Sequence, residues 1–231
     1  MARARLTWRR VFVALVATVL AWQGALLAQV AWWRTHNPGS TAFMDVRIEQ
    51  RQADGRGAML PHPWVPYQRI APALKRAVIA SEDARFLEHR GFDWDGMELA
   101  MRRDLKRGKM VAGGSTITQQ LAKNLFLSER RSLWRKGEEA LITVMIETLW
   151  SKQRILEVYL NVIEWGDGVF GCEAAARHYY HVAASDLSAG QGAQLAAMIP
   201  SPRFFDRHRG SRHLQQRSAT ILARMPGAPI P

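Results

Sequence analysis

A single cysteine, Cys172, stands among the 231 residues, so no internal disulfide forms and cysteine usage leaves the compartment undecided. Its natural place is that of a small packed residue. The seven histidines are scattered, without the paired spacing of a zinc site. Acid is also in short supply: 20 Asp and Glu face 32 Lys and Arg, a net charge of +12. Such an imbalance asks for an anionic partner, whether nucleic acid, an anionic membrane surface or a phosphorylated substrate. The length leaves room for one membrane anchor and one domain with a proper core, and requires no second domain.

The anchor is read from Val11 to Trp33, about 23 uncharged and mostly apolar positions where roughly 20 cross a bilayer. Gln23 and Gln29 weaken the signal. Arg3, Arg5, Arg9 and Arg10 precede it, which places the N-terminus in the cytoplasm and the rest across the membrane. A cleaved signal peptide shares the basic start. The length of the run, and the lack of a small-x-small site before Trp32 and Trp33, favour the anchor. An anchored chain argues against nucleic acid. A basic cluster, Arg102, Arg103, Lys106, Arg107 and Lys109, set among Met101, Leu105, Met110 and Val111, fits either a segment at lipid headgroups or a solvated helix face.

Gly113-Gly114-Ser115-Thr116-Ile117-Thr118-Gln119-Gln120-Leu121-Ala122-Lys123-Asn124 reads as a glycine loop feeding a helix, with capping-box spacing between Thr116 and Gln119. Free N–H groups at such an end, with Lys123 two turns in, attract anions of phosphate size. An ordinary capped helix has the same sequence signature.

From Ala71 onward helices dominate. Leu74, Val78, Glu82 and Phe86 recur every four residues, with His89 near the same face, which predicts an amphipathic helix carrying a carboxylate on its apolar stripe. A carboxylate so placed is poorly hydrated when charged and accepts a proton more readily. Pairing of Glu82 with Arg85 is the structural alternative. A second helix over Leu133 to Trp150 puts Glu139 on a face with Ile142, Thr143, Ile146 and Trp150. Two acids facing a sugar bond permit a glycosidase or a glycosyltransferase. Lys123, Arg131, Arg135 and Lys136, all before Glu139, suit a diphosphate leaving group better than a neutral glycan.

Taken in order, Ser81-Glu82-Asp83-Ala84-Arg85-Phe86-Leu87-Glu88-His89-Arg90-Gly91, the Gly113 to Asn124 run, Arg135-Lys136-Gly137-Glu138-Glu139 and Ile155-Leu156-Glu157-Val158-Tyr159-Leu160-Asn161 resemble the family 51 glycosyltransferases, the peptidoglycan polymerases, over residues 61 to 202. No Ser-x-x-Lys occurs to seed a penicillin-binding transpeptidase, so the chain resembles the monofunctional form. The resemblance implies a mostly α, lysozyme-like single catalytic domain that joins lipid II into β-1,4 glycan and releases undecaprenyl diphosphate. Glu82 matches the catalytic base and Glu139 the second acid. Ser115, Gln119, Lys123, Asn124, Arg131, Arg135 and Lys136 match the substrate groove, with Lys123 and Arg131 on the diphosphate. Asp83, Phe86, His89, Gly91, Gly113 and Gly114 match supporting positions. Glu157, Tyr159 and Asn161 match scaffold or groove wall.

Glu138 departs from relatives that carry a cation there, which removes one phosphate contact. Gln191 stands where relatives have Glu, and keeps capping-box spacing with Ser188. Ala193 to Pro202 reads as a terminal core helix halted by prolines. The expected organisation is a basic tail and anchor over 1–35, a linker with a short strand or two over 36–66, and the glycosyltransferase domain over 67–231, on the outer side of a bacterial inner membrane. The expected partners are lipid II, the nascent strand, the membrane, and other cell wall synthesis or division proteins. No cofactor is required by the sequence; Glu82, Asp83 and Glu139 attract a divalent cation such as magnesium or manganese, though no ligand set is evident.

Overall fold

The computed structural model describes residues 8–57, 61–107, 114–127 and 133–231. Helix α1 (Trp8–Trp33) leads the chain and is long and apolar enough to cross a membrane. Only Leu26 and Val30 of it are buried. Its C-terminal carbonyls, which no helical N–H can reach, are capped from the body of the protein. Trp150 Nε1 donates to Val30 O at 2.8 Å, and Arg154 donates to Trp33 O at 2.9 Å and His36 O at 2.7 Å. A guanidinium at that end also suits the helix dipole.

Residues 36–66 differ from the expected linker. They contain helix α2 (Ala42–Ala53), and no strand occurs among the described residues there. Thr41 caps α2 by accepting from Met44 N, Asp45 lies in the first turn and Arg51 in the last, an arrangement that complements the dipole at both ends. Met44 and Arg47 are buried and α2 packs against α5 (Ile117–Phe126). Pro and Gly crowd the flanks of this stretch, while its centre carries the helix formers.

Helix α3 (Pro72–Glu82) starts with Pro at its first turn, where the missing N–H costs nothing. It stops at Glu82, so Phe86 and His89 are not on its stripe, contrary to the four-residue recurrence. Asp83 leaves helical geometry at φ −161°, ψ 73°, and a turn carries Phe86 into the core, fully buried. Helix α4 (Trp94–Arg107) follows. Of the basic cluster, Arg102 pairs with Glu98 at 2.6 Å; the other four side chains lie outside the described residues.

Helix α6 (Leu133–Leu149) buries Glu139, Ile142, Thr143 and Ile146 on one face, as the periodicity predicts. Helix α7 (Lys152–Val162) leads into an antiparallel ribbon, β1 (Glu164–Gly166) and β2 (Val169–Phe170), with Glu164 opposite Phe170. Helices α8 (Cys172–Tyr180), α9 (Ala189–Met198), α10 (Pro202–Arg207) and α11 (Arg212–Arg224) complete the chain. Ser188 and Gln191 form the expected capping box of α9. That helix is not terminal, since α10 and α11 follow it and α11 packs back on α9. Trp165, Tyr159, Phe86, Phe170, Leu74 and Ile117 are among the fully buried side chains, each contributing about 1.5–3 kcal/mol of transfer free energy.

Helices α3 and α9 pack backbone to backbone at Gly192, where an added Cβ meets Leu74 N at 3.1 Å and Ala73 O at 3.2 Å. Backbone atoms cannot swing aside. Gly192→Val is therefore expected to lower unfolding free energy by about 1–3 kcal/mol, whereas Gly190→Ala on the same helix, with open space around it, raises it by up to about 1 kcal/mol. Thermal denaturation of both variants reads the contrast. Burial pushes the Cys172 thiol up to about 12, so at pH 8 a maleimide is expected to label unfolded protein and leave the native fold unmodified.

Candidate active site

Asp83 places the site. Its Oδ2 accepts from Ile117 N at 3.0 Å, at the first turn of α5, and its Oδ1 lies 2.8 Å from His89 Nε2. The end of α3 is thus tied to the start of α5 by a buried carboxylate at a helix N-terminus, where negative charge is favoured. Gly91 closes the same junction. It sits at φ +88°, which glycine adopts without strain, and an added Cβ meets Thr143 Cγ2 at 2.7 Å. Its carbonyl accepts from Thr116 Oγ1 at 2.7 Å.

The expected capping box on α5 is present: Thr116 Oγ1 accepts from Gln119 N at 3.2 Å and Gln119 Oε1 accepts from Thr116 N at 3.1 Å. Two expectations change in consequence. The α5 terminus is not a bank of outward N–H groups, because Asp83, Thr116 and Gln119 take the amides of Ile117, Gln119 and Thr116 from within the protein. Gln119, expected in the groove, is instead buried in the box.

Glu82, one residue before this clamp, is held by donors. Ser81 Oγ donates to Oε1 at 2.8 Å, Gln120 Nε2 donates to Oε2 at 3.0 Å, and Arg217 Nη2 lies 3.4 Å from Oε1. An ionised carboxylate only accepts, and Glu82 meets only donors. The apolar surroundings expected from its stripe are thus replaced by polar ones. Gln120 is itself fixed, since Tyr159 Oη donates to its Oε1 at 2.7 Å. That leaves the Gln120 amide nitrogen facing Glu82. The Tyr159 hydroxyl is fully buried and holds its proton well above the usual range, chiefly through burial and then through Glu82 and Asp83.

Gln120, Tyr159, Lys123 and Asn124 line a groove of about 640 Å³ whose other walls come from α2, the segment around Glu164, and residues 199–207. Glu82 adjoins it through Gln120. On its other side, Ser81 and Arg217 line a smaller cleft of about 310 Å³ against α11. Lys123 and Asn124 thus stand where a groove role requires. Ser115 is exposed beside the α5 cap, and Gly114 packs near Met97. Phe86 is core, with Lys152 Nζ 4.5 Å from its ring centroid. Gly113 and Arg131 lie outside the described residues.

The second acid is placed differently from a carboxylate facing the groove. Glu139 is buried on α6 and ion-paired with Lys136, and neither lines the groove. Arg135 is half-buried on the same helix. Glu138 accepts from Trp22 Nε1 at 2.8 Å, so it faces α1. Glu157 pairs with Arg154, and Asn161 bridges to the backbone of Val65, which makes both scaffold. Among the described residues no group of three or more His, Cys, Asp or Glu could hold a metal ion.

Sequence reasoning missed Gln120, Arg217 and Arg47. Gln120 lay inside a motif already singled out and differs from Gln119 only in helix face, which the capping box could have assigned. Arg217 is 135 residues from Glu82 and carries no local signal. Arg47 lay in the supposed linker.

The transglycosylase family model matches residues 53–226. The biosynthetic peptidoglycan transglycosylase of Chromobacterium violaceum is 55% identical over 222 residues, 96% of this chain and 97% of that protein. Those of Methylobacillus flagellatus and Thiobacillus denitrificans are 56% and 55% identical, each over 98% of this chain and 99% of their own. The fold is mostly α-helical and lysozyme-like, and the chain belongs to the transglycosylase family.

Proposed function

We propose that this chain is a membrane-anchored peptidoglycan glycosyltransferase that polymerises lipid II into β-1,4-linked glycan. The observation that carries the reading is the placement of Glu82: a fixed carboxylate adjoining a cation-lined groove, with Lys123 on the same helix as the Gln120 that holds it.

Glu82 takes the proton from the 4-hydroxyl of the acceptor sugar. The oxygen attacks the anomeric carbon of the donor, the bond to the diphosphate breaks on the opposite face, and undecaprenyl diphosphate leaves with the electron pair. Proton transfer of this kind contributes about 10²–10⁴ in rate. Lys123 and Arg131 meet the charge that grows on the leaving group. Glu139 is paired with Lys136 on α6, outside the groove wall, and the transfer step is assigned to neither. Arg3, Arg5, Arg9 and Arg10, before and in the first turn of α1, support a cytoplasmic N-terminus and a periplasmic catalytic domain. Both substrates carry a lipid tail, so anchoring raises their effective concentration at the groove.

With purified lipid II, wild type is expected to form polymer and Glu82→Gln to lose about 10²–10⁴ in kcat, with circular dichroism unchanged. A Glu82→Gln variant as fast as wild type would refute the base assignment. Release of soluble sugars from finished cell wall by wild type, with no polymer formed, points instead to a hydrolase. Tyr159→Phe removes the bond that orients the Gln120 amide. Its kcat is expected to fall about 2–10-fold, as befits one hydrogen bond, with KM unchanged. A rise in KM with kcat intact would show that Tyr159 contacts substrate rather than ordering Gln120.

A further inference from the structure

The walls of the groove contributed by α10 and α2 carry cations that the transfer step does not use. Arg203 and Arg207 line it from α10, and Arg47 lines it from α2. Arg47 is committed within the protein: its Nε donates to Glu164 Oε2 at 3.2 Å and its Nη1 to Gln50 Oε1 at 2.5 Å. Glu164 is the one acid in the lining, is buried, and already has Arg47. Burial raises its proton affinity, against the pull of Arg47 and then Arg203. Neither Arg203 nor Arg207 forms an ion pair among the described residues; Arg207 Nε donates only to Arg203 O, at 3.2 Å. Arg203 is half-buried and Arg207 exposed. They are four residues apart, so their guanidinium groups lie on one helix face.

A concave wall with surplus positive charge concentrates anions. Paired guanidinium forks match the two oxygens of a carboxylate or phosphate better than they match neutral sugar hydroxyls and acetamides.

We propose that the α10 and α2 wall of the groove is a binding site for an oxyanion carried by the lipid-linked substrate away from the sugar bond that reacts, with Arg203 and Arg207 as its ligands. The inference rests on the transferase reading above. The carboxylates of the peptide borne on the sugar supply that chemistry, and the diphosphate of the acceptor, which keeps its lipid, is the other source.

The test uses the full-length protein in detergent. Initial rates are measured for wild type and for Arg203→Gln with Arg207→Gln, on lipid II with free peptide carboxylates and on lipid II with those carboxylates amidated. The double variant is expected to raise KM about tenfold on the free substrate, the scale of one charge-assisted hydrogen bond, while kcat stays within about twofold. Amidation is expected to raise the wild-type KM similarly and to add nothing to the double variant. Arg203→Lys with Arg207→Lys, which keeps the charge and loses the fork, recovers only part of the loss. An equal loss on both substrates assigns the site to the diphosphate. An unchanged KM on both overturns the site. If wild type polymerises neither substrate, the transferase reading falls on its own. Calorimetric titration with a soluble muramyl peptide then reads the site directly: binding by wild type and not by the double variant supports it, and equal binding or none overturns it.

Discussion

The buried Asp83 carboxylate at the first turn of α5 is the contact on which the site depends. A helix start carries amides without helical partners and a partial positive charge, and Asp83 answers both while His89 holds its second oxygen. This one junction ends α3, starts α5 and fixes the distance between Glu82 and Gln120, which belong to different helices. Removing Asp83 would leave Ile117 N buried and unbonded and free the two helices to move apart. The pairing of Glu82 with a donor on α5 is therefore a consequence of the fold, not a local property of either segment.

Around that junction the protein separates charge by role. Glu82, the proposed base, sits behind Gln120, and cations are distributed along the groove. Glu82 is flanked by Ser81, Gln120 and Arg217, two neutral donors and one cation at the longer distance of 3.4 Å. A tight bidentate arginine there would occupy both oxygens and compete with an incoming hydroxyl. Neutral amide and hydroxyl donors orient the carboxylate and leave it room to accept. The cations that could neutralise it stand farther along, on Lys123 and on α10.

Much of this was legible in the sequence because it is local. The α5 and α9 capping boxes depend on residues three apart, the apolar face of α6 on a 3.6-residue period, and α1 on a run of uncharged residues. What escaped depends on tertiary contacts. The recurrence through Leu74, Val78, Glu82 and Phe86 continues smoothly past the true end of α3, because nothing local announces that Asp83 will bond to Ile117, 34 residues on. The same contact fills the anion site that the glycine loop seemed to offer to substrate. Helix α2 was hidden because its one buried cation, Arg47, answers to Glu164, 117 residues away. The chemistry-bearing residue types were recognised, while their company was not.

Helix α2 joins the apolar α1 to the groove. It follows the apolar α1 by a connector of only eight residues, and it forms a wall of the groove through Phe43 and Arg47. Arg154 and Trp150 hold the last carbonyls of α1 against the body of the protein, so that helix does not end in a free tether. A flexible linker would let the groove sample many heights above a bilayer, and its effective concentration would fall with linker length. With α1 as the proposed membrane anchor, a short connector clamped at both ends fixes one height. For substrates whose reacting bond lies a fixed distance from a lipid tail, that register does what a long-range contact to the lipid would otherwise have to do.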